Sequence, residues 1–330
     1  MGVHIVATGG TIASVTDELG AVRAAATPED LVRSAPGLDE HGPVTSEEVT
    51  RVNGWNVTPA DMLEVSRRVE AALQEDSVSG AIVTHGTDTV EETAFVADLT
   101  IMSEKPVAFA AAMRSGDQVS ADGPRNLLNA ARVVTSSEAR GLGAVIVLND
   151  ELHAARWVRK SDSFRVNTFA SPDHGPLGYV TPGELRLFSR PPRRVSVARP
   201  AALDAPVPVI KAYSGMEEGL IEAILSATNA RGLVIEGTGL GNVPGTAMVG
   251  IGAALEQGLP VINATRVSSG GTWAVYGGPG GGVTLAGMGV MPAGTLTAAK
   301  ARLLLMLLLA RGLHGDQLRA HFGDAVAALM

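Results

Sequence analysis

Two threonines follow glycines at the ends of apolar runs. In the first, Ile5-Val6-Ala7 gives way to Thr8-Gly9-Gly10-Thr11; in the second, Ala81–Thr84 gives way to His85-Gly86-Thr87-Asp88-Thr89. Glycine lets a chain turn tightly or pass close to another group. A hydroxyl on such a turn is either a nucleophile or a cap. As a nucleophile it is weak and needs a base or a charged neighbour. Asp88 stands beside Thr87, and a lysine whose neutral form is favoured by desolvation would complete such a set. Backbone N–H groups at glycine turns can hold an oxyanion. Three spaced glycines opening a helix would bind a dinucleotide, but Gly9-Gly10 is no such fingerprint, and Gly237-Thr238-Gly239-Leu240-Gly241 lies too late with the wrong spacing. His85 has the chemistry of a base, although a histidine satisfied beside a strand end is the commoner case. No His, Asp and Glu set has metal-ligand spacing, so neither a metal nor another cofactor is expected.

The elements that must position these loops alternate along the chain. Strands are predicted over Val3–Ala7, Ala81–Thr84, Val107–Ala111, Ala144–Leu148, Val207–Lys211, Leu233–Glu236 and Leu259–Asn263. Their short apolar runs, bounded by Gly, Pro or polar residues, suit buried parallel strands. Thr27-Pro28-Glu29-Asp30 and Thr58-Pro59-Ala60-Asp61 each supply an N-cap, a proline at the first helical position and an early acid. Further helices are expected over Glu91–Met102, Arg125–Ser136, Glu217–Asn229, Thr246–Gln257, Thr297–Arg311 and Gly315–Ala328. Gly277–Gly282 reads as a flexible loop. The pattern predicts a two-domain α/β protein with parallel-rich sheets covered by helices on both faces. In such sheets ligands bind beyond the carboxyl ends of the strands. If the first two strands are neighbours, Thr11 and Thr87 face one another across one crevice.

Arg190-Pro191-Pro192-Arg193-Arg194 and then Pro200, Pro206 and Pro208 interrupt the alternation. This divides the chain into a larger N-terminal domain, 1–190, a Pro/Arg-rich linker, 191–206, and a smaller C-terminal domain, 207–330. The 330 residues suffice for two domains, and 45% hydrophobic content suffices for a large core. Cysteine is absent, which excludes disulfides and a thiol nucleophile. A net charge of −8 without a basic run argues against nucleic acid. The longest apolar run, Leu303–Ala310, is well short of the roughly 20 residues of a membrane span. No signal peptide is apparent, so a cytoplasmic location is expected.

"ATGGTIAS" (Ala7–Ser14) and "THGTDTVEETA" (Thr84–Ala94) resemble the two signature segments of the bacterial-type L-asparaginase family. The similarity continues in Ala112–Ala130, Val147–Phe164, Gly175–Val180 and Gly237–Asn242 and ends in Leu296–Leu309, in the family's order over nearly the whole chain. The resemblance implies hydrolysis of a side-chain amide to acid and ammonia through an acyl-enzyme, with asparagine as the default substrate. Thr11 matches the nucleophilic threonine, Thr87 and Asp88 the second threonine and its aspartate, and Lys160 in "VRKSDS" the family's lysine. Asp88 would orient Lys160, Lys160 would polarise Thr87, and Thr87 would handle water or a proton. Gly10, Gly54, Trp55, Gly86, Ala112 and Asn242 are the expected substrate contacts, the glycines letting the substrate carbonyl approach the backbone. Members of the family assemble as dimers and tetramers, so a homodimer or homotetramer is expected.

The chain also departs from the family. No tyrosine stands in the loop Asp17–Arg23, where Ala21 is the positional match. Gly54-Trp55-Asn56 occupies the place of the serine and glutamine that hold an amino acid's head group, and Gly271–Gly282 carries no acid. A site that loses the polar partners of a charged head group loses discrimination for it. These residues raise an alternative substrate, a larger or head-group-modified amide lying in room opened by Gly54 and against Trp55, and a further alternative, a binding or regulatory protein with little turnover. Retention of Thr11, Thr87, Asp88 and Lys160 together favours catalysis. The small, polar segment Ser14–Ala26 suits an active-site lid hinged at Gly20.

Overall fold

The computed structural model describes residues 1–192 and 195–330. The chain divides into two compact units, 1–196 and 197–330. Arg193 and Arg194, in the stretch read as a linker, lie outside the described residues.

In the larger unit the chain runs β1 (Gly2–Gly9), a hairpin of β2 (Ser14–Thr16) and β3 (Val22–Ala24), α1 (Pro28–Ser34), β4 (Val44–Val52), α2 (Pro59–Leu73), β5 (Val78–Thr84), α3 (Val90–Thr100), β6 (Val107–Ala110), α4 (Gly123–Thr135) and β7 (Ala144–Leu148). Short strands follow: β8 (Glu151–Ala154), β9 (Arg159–Lys160), β10 (Phe169–Ala170), β11 (Gly178–Val180) and β12 (Leu185–Leu187). Eight of them form one sheet in the order β12-β11-β8-β7-β6-β5-β1-β4. The strands from β4 to β7 pair in parallel, and β8, β11 and β12 extend the sheet antiparallel. Side chains alternate across it, as the pleat requires. Val3 and Ile5 of β1 pack in a cluster with Leu31 of α1 and Leu127 of α4, whereas Val6 joins Val65 of α2 and Val90 and Ala94 of α3 on the other face.

Both predicted capping boxes form. The Thr27 and Thr58 hydroxyls accept from the N–H of Asp30 and Asp61, whose carboxylates accept from the threonines' N–H groups. The polar segment Val44–Val52 is a nine-residue edge strand that apolar patterning did not reveal. Ser14–Ala26, the segment that suits a lid, carries the antiparallel β2–β3 hairpin. Asp17 closes its turn by accepting from the N–H of Leu19 and Ala21, and the Thr16 N–H donates to Asp117.

The smaller unit carries four parallel strands, β13 (Val209–Lys211), β14 (Leu233–Gly237), β15 (Val261–Thr265) and β16 (Met291–Pro292). Between and after them come α5 (Leu220–Thr228), α6 (Met248–Glu256), α7 (Gly282–Met288), α8 (Ala298–Ala310) and α9 (Gly315–Leu329). The expected glycine loop 277–282 therefore leads directly into a short helix. Among the described residues no helix is long and apolar enough to cross a membrane.

Candidate active site

β1 and β5 are adjacent and parallel, so the loops that leave them emerge side by side. Three glycines bring these loops into backbone contact. Gly10 lies at φ 77°, ψ −177°, a conformation open essentially to glycine alone. A Cβ there would meet the Gly86 nitrogen at 2.2 Å. A Cβ on Gly86 would meet Gly54 backbone atoms at 2.8 Å, and one on Gly54 would meet Gly86 at 3.2 Å. The space at these residues is filled by one another, which corrects the expectation that Gly54 opens room for substrate. The Gly10 N–H donates to Val52 O at 3.1 Å and is spent on β4 rather than free for an oxyanion.

Thr11 opens a 3-10 turn, half-buried, directly after Gly10. On the facing loop Thr87 is buried and Asp88 exposed. His85 is fully buried between them and the sheet. Gly86 O can only accept, so it takes a hydrogen bond from His85 Nδ1–H at 2.9 Å, leaving Nε2 to accept from the Thr93 hydroxyl at 2.9 Å. Burial pushes this imidazole down to about 4, the bond to Gly86 opposing the shift. With both nitrogens committed and the ring neutral, His85 is a structural member of the loop and not a base.

Lys160 comes from β9, a two-residue strand paired only with β10. Its ammonium donates to Thr87 Oγ1 at 2.9 Å and to Asp88 Oδ1 at 2.6 Å. Its side chain is 19% exposed. This joins three of the four expected catalytic residues in one hydrogen-bonded set; Thr11 lies across the Gly10–Gly86 contact and takes no part in those bonds. The Lys160 main-chain N–H donates to Glu91 Oε2 at 2.5 Å. Four residues earlier, Arg156 forms a buried pair with Asp98 of α3, Nη2 to Oδ2 at 3.0 Å, while Asp98 Oδ1 accepts from the Ala144 N–H. Neither Glu91 nor this pair stood out in the sequence.

One expected substrate contact, Ala112, sits otherwise than its place suggested. Ala112 is wholly buried, main chain included, in the core cluster that holds Ile12, so it is closed to a ligand in this structure. Trp55, by contrast, is 65% exposed on the turn after Gly54; it does not pack in the core. Thr89 ties that turn to the Thr87–Asp88 loop by donating to Gly54 O at 2.6 Å. Asn242 belongs to the smaller unit, in the loop after β14, where its Oδ1 accepts from the N–H of Gly282 at the start of α7.

Comparison with known proteins gives this arrangement a family. The asparaginase N-terminal model matches residues 2–193, and the glutaminase/asparaginase C-terminal model matches residues 206–322. The chain belongs to the asparaginase family. A probable L-asparaginase of Deinococcus radiodurans is 37% identical over 98% of this chain and 97% of its own length. L-asparaginase 2 of Bacillus subtilis is 32% identical over 98% of this chain and 86% of its own. Among solved structures, a probable cytoplasmic L-asparaginase from Campylobacter jejuni superposes with a TM-score of 0.89 at 29% identity, covering 97% of this chain and 98% of that one.

Proposed function

We propose that this protein hydrolyses the side-chain amide of L-asparagine to L-aspartate and ammonia through a threonine acyl-enzyme. The observation that carries the reading is the Lys160 ammonium held at once on the Thr87 hydroxyl and the Asp88 carboxylate, in a chain whose relatives are named L-asparaginases. Thr11 is the nucleophile: its hydroxyl attacks the amide carbonyl, its proton passes to the leaving ammonia, and an ester forms. Water then attacks that ester. The Asp88 charge keeps Lys160 in place, and Lys160 polarises the Thr87 hydroxyl that relays the proton. Gly10, Gly86 and Gly54 hold the two threonine loops in register by packing on one another.

One observation favours a second reading. Trp55 offers a large exposed ring on a turn that is hydrogen-bonded to the catalytic loop, so a larger or head-group-modified amide would have an apolar face to lie on. The exposed Trp273, Val275 and Tyr276 of the smaller unit, each more than half exposed, support assembly as a homodimer or homotetramer. A cytoplasmic location is in keeping with the name of the Campylobacter jejuni protein.

The test is ammonia release from L-asparagine by the wild type and by Thr11→Ala. Release that falls at least about 10³-fold in the variant establishes the reading, since removal of a nucleophile typically costs this much. A folded wild type inert on L-asparagine but active on larger amides establishes the second reading. Inertness on both refutes amide hydrolysis.

A further inference from the structure

Lys160 has an unusual anchorage for a residue whose ammonium must stay within hydrogen-bond range of two groups. β9 contains only Arg159 and Lys160 and stands outside the eight-stranded sheet, paired with β10 alone. On the β10 side, the Ser161 N–H donates to Thr168 O at 2.7 Å. On the opposite side the Lys160 N–H meets no strand. It meets the Glu91 carboxylate at 2.5 Å. Glu91 lies in the first turn of α3, three residues after Asp88 and four after Thr87. Seven residues further along the same helix, Asp98 grips Arg156. α3 and the loop that leads into it therefore carry both the groups that Lys160 bonds and the carboxylate that holds the Lys160 backbone.

We infer that Glu91 is a positioning residue for Lys160, fixing its main chain so that the ammonium reaches Thr87 and Asp88 together. This rests on the catalytic role proposed for Lys160. An acid at a helix N-terminus ordinarily steadies the helix by facing its dipole, and Glu91 has that location. Its carboxylate is instead spent on a main-chain N–H 69 residues away in sequence. A charge-assisted bond this short is among the stronger contacts available to a main-chain amide. The segment is tied to α3 through the Arg156–Asp98 pair and to β10 through its ladder, and the Glu91 bond ties the Lys160 main chain itself to α3. A displacement of about 1 Å in a positioned group can cost about 10²-fold in rate.

The test measures kcat, KM and Tm for Glu91→Gln, Glu91→Asp and Glu91→Ala, each also in a Lys160→Ala background. Gln keeps an acceptor at the same reach, so its kcat stays near wild type. Asp keeps the acid in the first turn but is one methylene short, so its kcat falls by about 10- to 100-fold while Tm and KM hold. Ala loses kcat at least as far as Asp. In the Lys160→Ala background none of the three lowers kcat further, because a residue acting through Lys160 has nothing left to position. Equal losses in both backgrounds, or Gln as impaired as Asp, would overturn the assignment and leave Glu91 a helix-stabilising residue. Impairment by Lys160→Ala with none by Glu91→Asp or Glu91→Ala rejects Glu91 alone. A Lys160→Ala enzyme with wild-type kcat rejects the role of Lys160 and this inference with it.

Discussion

Gly10→Ala should be the most damaging single-methyl change near the site, and its cost can be worked from two separate sources. The first is conformation. At φ 77°, ψ −177° an alanine is strained by about 1–3 kcal/mol. The second is contact. The new methyl would stand 2.2 Å from the Gly86 nitrogen and 2.3 Å from its Cα, where 3.4 Å is the onset of ordinary contact. Both neighbours are backbone, so no side chain can swing aside, and Gly86 is packed against Gly54 backbone as well. Relief requires the loops of β1 and β5 to part by about 1.2 Å, the difference between those contacts. The total destabilisation is then at least about 3 kcal/mol. A parting of this size moves Thr11 away from Thr87, so folded variant protein should lose about 10²-fold in kcat. Urea unfolding and ammonia release at saturating amide measure the two effects separately. Gly141→Ala is the control. Gly141 also has a positive φ, 74°, but nothing lies within 4 Å of its added methyl; it should cost about 1–2 kcal/mol and leave kcat unchanged. If Gly10→Ala behaves like Gly141→Ala in both assays, the glycine contact does not hold the site together.

Burial sets an acid limit on the fold through His85. Its folded imidazole titrates near 4 against 6.5 when exposed, so between these values the unfolded chain takes up a proton that the native chain refuses. Stability is therefore full above pH 6.5 and falls as pH drops toward 4, by on the order of 3 kcal/mol; urea unfolding between pH 7 and 4 should show a shallower slope in His85→Gln, and an identical slope would contradict the assignment. Asn263 presents the opposite opportunity. Its Oδ1 is buried without a partner, beside a cavity of about 250 Å³ walled by Trp273, Val290, Val326 and Met330. Asn263→Leu keeps the shape and removes an unpaired polar atom, so it should raise stability by about 1 kcal/mol, and a loss of that size would show that the amide has a partner in solution.

What could be read from the residues in advance, and what could not, divides along a physical line. Thr27 and Asp30, or Thr58 and Asp61, announce their helices because a capping box is complete within four residues. β6 and β7 announce themselves because both of their faces are buried and their composition is apolar throughout. Val44–Val52 does not, because it lies at the sheet's edge and is mostly polar, with Thr45, Glu48 and Arg51 exposed and the rest only half-buried. α7 does not, because its glycine-led sequence Gly282-Val283-Thr284 has low helix propensity and forms only in its tertiary setting. The site follows the same division. Thr87 and Asp88 are visible as a loop at the carboxyl end of a strand. Lys160 lies 73 residues from Thr87 on a strand too short to leave a pattern, and only the family resemblance singled it out.

The glycines show where local reading misassigns a correct observation. Gly10, Gly54 and Gly86 do mark close approach, as glycine often does, but what approaches is main chain from the neighbouring loop. Glu91 shows the same for charge: in sequence it is one of two acids at a helix start, indistinguishable from Glu92, and only the path of the chain from β8 to β9 brings an unpaired N–H to it. A residue's type thus states what kind of partner it needs, and topology decides which partner it meets. In the proposed mechanism the chemistry is carried by residues whose types were informative, while the alignment of that chemistry depends on loop-to-loop contacts that no single segment encodes. Substitutions that leave Thr11, Thr87, Asp88 and Lys160 intact but disturb Gly10 or Glu91 are therefore the ones expected to separate the presence of the catalytic groups from their arrangement.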